Sequence, residues 1–229
     1  ETHGVRQKGG GALLCRLGVR LPGKSLRGVC FQTVQFLLAI TEKNTVLITR
    51  SGISKGDITE KDILEFDFNG KHLAGEGKIT TEFKLHLYAY SKRKEVNAVV
   101  HCHPVYATAF SLLGEGLVKY YFPEVILTLG KVHLCKYATP STKDLPLSLD
   151  PFINYGWAFL LQNHGALTLG KNLNDAYYKM EKLEHAAETI FKAKQLGTPQ
   201  ELSSEDVRKL VELSEETYGI TQDPRNVFD

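Results

Sequence analysis

The chain has 229 residues, of which 42% are hydrophobic and 24% are charged, and its formal net charge is +2. This composition excludes disordered, collagen-like and disulfide-scaffold proteins, and the balanced charge argues against nucleic acid or an anionic membrane as the main partner. No apolar run approaches the 18 residues of a membrane helix, and no secretory leader pattern stands at the start. Four scattered cysteines without a C-x-x-C pair favour reduced thiols over a cysteine-based zinc site, so we expect a cytoplasmic protein. They are Cys15, Cys30, Cys102 and Cys135.

The first predicted elements are two strands, and the second of them enters a hairpin. Thr45–Arg50 alternates and is rich in β-branched residues, and Ile63–Phe68 has a similar pattern. Asn69-Gly70 follows directly and indicates a tight turn, because both residue types tolerate positive φ.

A helix and a buried strand are predicted next. Thr80 and Thr81 are expected to cap a helix that begins at Glu82. Asn97–Cys102 is apolar and β-branched, which predicts a buried strand, and Pro104 is well placed to open the helix after it.

The middle of the chain predicts further strands. Val125–Leu134 is expected to be extended, and Pro140–Asp144 contains a helix start. Trp157–Gln162 predicts a strand that resumes at Ala166–Leu169 after a break at Gly165.

The last third is helical. Apolar residues recur every three or four positions from Leu173 to Leu196, and Ser203 caps a final helix that ends near Glu216. Strands and helices are interspersed without regular βαβ alternation, so we predict an α/β fold: a central mixed, largely antiparallel sheet flanked by helices. We expect one domain over residues 1–229, of which 1–12 are flexible.

Two histidines share one face at the end of a predicted strand. Side chains alternate along extended chain, so His101 and His103 converge while Cys102 faces the other way. His164 follows another buried strand, and it supplies a third nitrogen if the two strands end near each other. Three histidines with an open position are typical of a catalytic zinc site. The remaining candidates are expected to be solvent-facing or capped core residues: His72, His86, His133 and His185.

Four blocks together resemble the class II aldolase/adducin superfamily, and within it the fuculose-1-phosphate aldolase branch. They are His101–Pro104, Lys78–Glu82, Lys136–Pro140 and Gln162–Gly165. The resemblance covers about residues 45–220 and implies a class II aldolase-like fold. It also implies a homotetramer with active sites at subunit interfaces.

The resemblance implies roles for particular residues. His101, His103 and His164 would bind one Zn²⁺ per subunit. Glu82 would be the catalytic acid/base, and Tyr218 would protonate the aldehyde oxygen.

A substrate phosphate site is also implied. Thr80 and Thr81 would help to hold the phosphate, together with Ser51 and Gly52. This chain departs from the family where a Gly-Asn phosphate loop is usual, because the corresponding stretch is Phe36–Thr41.

The implied activity is reversible cleavage of a ketose 1-phosphate, similar to fuculose 1-phosphate, into dihydroxyacetone phosphate and an aldehyde through a metal-stabilised enediolate. Two other enzymes of the same fold stay open: a pentulose-phosphate 4-epimerase, although that branch tends to have Asp at the position of Glu82, and a methylthioribulose-phosphate dehydratase. A non-catalytic, adducin-like binding module is the alternative from another class. The three intact histidines argue against that module.

Overall fold

The computed structural model describes residues 35–40, 45–53 and 59–228. The predicted flexible segment 1–12 lies outside them. Eight strands of the described residues form one sheet. They are β1 (Gln35–Ile40), β2 (Thr45–Thr49), β3 (Ile63–Asp67), β4 (His72–Ala74), β5 (Ala98–Cys102), β6 (His133–Cys135), β7 (Ala158–Leu161) and β8 (Gly165–Gly170).

The described helices flank this sheet. They are α1 (Phe83–Lys92), α2 (Val105–Leu113), α3 (Pro123–Thr128), α4 (Asp144–Leu147), α5 (Leu173–Leu196), α6 (Ser204–Tyr218) and α7 (Pro224–Val227), with a 3-10 turn at Glu60–Asp62. None of these helices is both long enough and apolar enough to cross a bilayer.

The strand order is β4-β3-β2-β1-β5-β8-β7-β6, and every neighbouring pair is antiparallel except β6 and β7. This confirms the predicted mixed, largely antiparallel sheet between helices. The hairpin at Asn69-Gly70 is also confirmed: β3 pairs with β4, and Gly70 has a φ of +83°.

Alternation along the central strands sends side chains to two separate cores. Val99 of β5 and Leu167 of β8 pack with α1 on one face of the sheet. Ala98, Val100 and Cys102 pack on the other face, against α2 and α5. The odd-numbered positions of β5 therefore face α1, and this face includes His101.

The prediction of an extended Val125–Leu134 was wrong over its first half. Pro123 occupies the first turn of α3, where its missing N–H costs nothing, and the helix runs to Thr128. The Thr128 hydroxyl donates to the Glu124 carbonyl, which satisfies the last turn. A short apolar run does not by itself distinguish a strand from a helix, and only His133–Cys135 joins the sheet.

Thr80 and Thr81 were also wrongly predicted as helix caps. The N-cap position of α1 is Glu82, which makes no side-chain capping bond. The Thr80 hydroxyl instead accepts the Glu82 N–H at 3.3 Å, one residue before the helix, while Thr81 is exposed. The Glu82 carboxylate is therefore not used in capping and can contact other groups.

Candidate metal centre and catalytic site

The ends of two neighbouring strands bring the three predicted histidines together. In the antiparallel pair of β5 and β8, Cys102 lies opposite Ala166, so the end of β5 adjoins the start of β8. One ligand atom from each of His101, His103 and His164 lies within 4.8 Å of the others. The strand that precedes His164 is β7, which β8 separates from β5 in the sheet, so it is the turn from β7 into β8 that carries His164 to the end of β5.

The turn before β8 has the backbone conformation that this cluster requires. Asn163 has a φ of +57°, in the left-handed region that asparagine tolerates better than most residues. A Cβ at Gly165 would overlap ring carbon Cδ2 of His103 and lie 2.6 Å from the Cys102 carbonyl oxygen. Glycine at 165 therefore lets the His103 ring lie against the backbone of β8.

One hydrogen bond of His101 fixes the orientation of its ring. Its Nδ1 lies 2.8 Å from the Ala166 carbonyl oxygen, which can only accept, so Nδ1 carries a hydrogen and Nε2 is the nitrogen that faces the cluster. Such a bond from the far nitrogen is typical of metal-binding histidines.

Within the described part of the chain, one buried ring nitrogen of each clustered histidine has no hydrogen bond: Nε2 of His101, Nε2 of His103 and Nδ1 of His164. Imidazole nitrogens without hydrogen bonds in one cluster are suitable ligands for a divalent cation of the zinc type.

Glu82 completes the cluster from the α1 side of the sheet. Its Oε2 lies 2.7 Å from His101 Nε2, and its Oε1 lies 3.1 Å from His164 Nε2. Burial would raise the pKa of this carboxyl, but its contacts with His101 and His164 outweigh burial and hold the pKa well below the usual range. Glu82 is therefore ionised and able to accept a proton.

The neighbouring His103 imidazole is neutral. Burial, with smaller contributions from His101 and His164, lowers the pKa of His103 to about 4. Metal binding requires the neutral form of histidine, so this environment favours it at physiological pH.

His86 is a component that the sequence did not single out. It lies four residues after Glu82, on the same face of α1, and its ring meets that of His101 edge-on at 6.5 Å between centroids. It is completely buried, neither ring nitrogen has a hydrogen bond, and burial lowers its pKa to about 3. The four-residue spacing between Glu82 and His86 was the sequence signal that could have placed His86 beside the cluster. The other three histidines of the described residues lie outside the cluster: His72 and His185 are exposed, and His133 is buried near Asn226.

The predicted phosphate residues lie on two connected segments. The Ser51 N–H donates to the Lys78 carbonyl at 2.8 Å, which joins the turn after β2 to the segment before Thr80. Ser51 and Gly52 are exposed, and Gly52 has a φ of +79°. The backbone therefore brings the two predicted halves of the phosphate site together.

Tyr218 is the last residue of α6, before Gly219 in the left-handed conformation. Its side chain lies outside the described residues, so its catalytic role stays a prediction.

A mixed sheet that presents three imidazoles and an ionised carboxylate at one strand end has the architecture of a metal-dependent enzyme. The family model for the class II aldolase and adducin N-terminal domain matches residues 30–191. An L-fuculose phosphate aldolase of Methanococcus maripaludis is 36% identical over 151 residues, which are 66% of this chain and 81% of that protein. A 3-oxo-tetronate 4-phosphate decarboxylase of Pectobacterium atrosepticum is 34% identical over 170 residues, which are 72% and 77% of the two chains.

Solved structures agree with these relatives. An L-fuculose 1-phosphate aldolase superposes with a TM-score of 0.75 at 31% identity, covering 81% of this chain and 87% of the other. The chain therefore belongs to the class II aldolase and adducin family, and with its aldolase relatives it is a metal-dependent carbon–carbon lyase.

Proposed function

We propose that this enzyme reversibly cleaves a ketose 1-phosphate, similar to fuculose 1-phosphate, into dihydroxyacetone phosphate and an aldehyde. The observation that carries the proposal is the ionised Glu82 carboxylate, within 3.1 Å of two members of a three-histidine cluster. The hard step of such a cleavage is placing negative charge beside a carbonyl, which forms an enediolate. The names of the relatives add the substrate class, a sugar phosphate.

In this proposal His101, His103 and His164 hold one Zn²⁺ per subunit. When bound, the ion would polarise the substrate carbonyl and stabilise the developing negative charge as a Lewis acid. The orphaned ring nitrogens and the Nδ1–H bond from His101 to Ala166 support this assignment.

The protein groups carry the protons. Glu82 moves the proton at the carbon of the enediolate, a contribution of roughly 10²–10⁴-fold in rate for a well-placed acid/base. Tyr218 exchanges the proton on the aldehyde oxygen.

The substrate phosphate lies beside Ser51, Gly52, Thr80 and Thr81. Hydroxyl and backbone N–H groups are suitable donors to its oxygens. The backbone link between Ser51 and Lys78 supports this placement, because it joins the two segments that would contact the phosphate.

Decarboxylation of a 3-oxo sugar acid phosphate is a second candidate, favoured by the decarboxylase relative at 34% identity. Loss of CO₂ from such an acid leaves the same enediolate that aldol cleavage produces. The two reactions differ in the group that leaves, an aldehyde or CO₂, and therefore in whether a hydroxyl proton must be removed first. The relatives described above are named as aldolases and a decarboxylase, not as an epimerase or a dehydratase.

The proposal also includes a cytoplasmic homotetramer. The tetramer comes from the family resemblance, and the location comes from the scattered cysteines. Cys102 and Cys135 are both buried, and Cys135 is a free thiol.

The test uses purified protein with its metal content quantified. We would assay fuculose, rhamnulose and ribulose 1-phosphates and 3-oxo-tetronate 4-phosphate, and measure dihydroxyacetone phosphate, aldehyde and CO₂ separately. Aldehyde released in step with dihydroxyacetone phosphate, and lost after chelation, is the expected result. CO₂ with no aldehyde would establish the second candidate, and full turnover by metal-free protein would exclude the proposed mechanism.

A further inference from the structure

A buried carboxylate outside the site is bound to the chain just beyond His103. Glu184 of α5 has 4% of its surface exposed. Its Oε1 accepts the Tyr106 N–H and its Oε2 accepts the Ala107 N–H, both at 2.9 Å. These donors belong to the first turn of α2, the helix that follows the His101–Pro104 motif.

The local sequence cannot cap this helix. The N-cap residue of α2 is Pro104, which has no side-chain acceptor. The first N–H groups of a helix have no partner within it, and leaving them unpaired in a core destabilises the fold. Glu184 supplies the missing acceptors from a helix 77 residues further along the chain.

Burying a carboxylate at this position is energetically unfavourable. Met180, Leu183 and Ala187 surround it on α5 and belong to an apolar core. Among the described residues, no lysine or arginine pairs with Glu184, and burial raises its pKa above the usual value despite the two N–H bonds. The end of α2 is the feature that explains an acid here, since helix N-termini favour negative charge.

His103 depends on that helix end for its position. The β5 ladder ends at Cys102, so His103 has no strand pairing of its own. Its backbone is fixed on one side by β5 and on the other by the start of α2, two residues later. The ring also lies against Gly165, where there is no room for a methyl group.

We propose that Glu184 is a positioning residue of the metal centre: by capping α2 from α5, it fixes the backbone that carries His103. It touches neither substrate nor metal. The inference rests on the proposed function in one respect, that His101, His103 and His164 form the metal site.

The test compares Co²⁺ binding and the visible absorption spectrum of the bound Co²⁺ in the wild type and in Glu184→Gln. The amide of glutamine can accept only one of the two N–H groups and turns a donor toward the other. We expect Co²⁺ affinity to fall about tenfold or more, as for other groups that orient metal ligands, and the spectrum to change as His103 is displaced. Glu181→Gln is the matched control on α5, because the Glu181 carboxylate accepts from Tyr177 of the same helix.

A local cap distinguishes positioning from general damage to the fold. Pro104 has the extended conformation of an N-cap residue, with φ −68° and ψ 143°, so Pro104→Ser can offer a hydroxyl to the same N–H groups. We expect the double variant Glu184→Gln/Pro104→Ser to regain most of the lost affinity and the wild-type spectrum. If Glu184→Gln folds poorly, Glu184→Asp, whose shorter side chain reaches at most one N–H, should have an intermediate affinity.

Failure of this inference and failure of the proposed function would give different experimental results. Unchanged Co²⁺ affinity and spectrum in both Glu184 variants would overturn the inference while leaving the metal site intact. Lost affinity that the hydroxyl introduced by Pro104→Ser does not restore would also overturn it, because capping would then not be the cause. A wild-type protein that binds no Co²⁺ would instead contradict the proposed function.

Discussion

Glu82 is the N-cap residue of α1, but its carboxylate is not used in capping. The carboxylate contacts His101 and His164, while the backbone N–H of Glu82 donates to the Thr80 hydroxyl. A residue type that usually supports a helix start by its charge is available here for chemistry.

Glu82→Gln should therefore retain the metal and lose nearly all turnover. Glutamine keeps the size of the side chain but cannot accept and return a proton, so we expect kcat to fall by roughly 10²–10⁴-fold. Metal content by mass spectrometry and steady-state rates measure the two effects separately. Glu76→Gln, at an exposed loop position, is the control. A variant with metal and near-normal kcat would remove Glu82 from the acid/base role.

The buried neutral histidines make the metal-free protein sensitive to acid. The unfolded chain binds protons at the ordinary histidine pKa of about 6.5, whereas His86 stays neutral down to about pH 3 in the fold. Below pH 6.5 the unfolded state thus binds more protons, and the free energy of unfolding falls as the pH falls. Above pH 6.5 this difference is absent.

Between pH 7 and pH 5 we expect His86 to account for a loss of roughly 2 kcal/mol, at about 1.4 kcal/mol for each pH unit below 6.5. Urea denaturation of the chelated protein across this range measures the slope. His86→Leu should flatten it, because leucine does not titrate. Equal slopes for the two proteins would mean that His86 is protonated in the fold.

At the scale of single elements, local pattern and local structure agree where several signals coincide. The helical periodicity from Leu173 to Leu196 predicted α5 with its observed bounds. In the structure Asn172 caps this helix. The Asn69-Gly70 turn and Ser203 as the cap of α6 are similar cases. At Val125–Leu134 the only signal was apolar character, which does not distinguish a strand from a helix. In the structure a helix begins at Pro123.

The His103 ring packs directly against Gly165, the first residue of β8. Gly165→Ala places a methyl group where ring carbon Cδ2 of His103 lies, so either the ring or strand β8 must move. We expect metal affinity to fall at least tenfold, measured by competition with a chelating dye. Gly197→Ala is the matched control, since nothing lies within 4 Å of a Cβ there and its φ of 162° is open to alanine. Equal affinity in the two variants would mean that the backbone yields without displacing His103.

At the scale of the whole molecule, sequence reasoning reached the three-histidine cluster but not the arrangement that supports it. The i, i+2 pairing of His101 and His103 is local, and the strand pattern alone indicates it. The adjacency of β5 and β8, separated by a long connection, is set by the sheet order. The Glu184 cap links α5 to α2 across 77 residues, and neither helix carries a sign of it in its own pattern. Such contacts are fixed by packing, which local propensity does not encode.

One cation at the cluster would join parts of the chain that are distant in sequence. His101 lies in β5, His103 follows that strand, and His164 precedes β8. Glu82, at the start of α1, contacts His164 in the same cluster. A ligand that binds only the folded chain stabilises it by mass action, by about 2.7 kcal/mol at a concentration 100 times its dissociation constant. We therefore expect Zn²⁺ to raise the midpoint of thermal unfolding by several degrees and chelation to reverse the rise, as measured by calorimetry. In His101→Ala, which lacks one of the three nitrogens, the same addition should produce little or no shift. A rise of equal size in that variant would mean that the ion acts elsewhere on the protein.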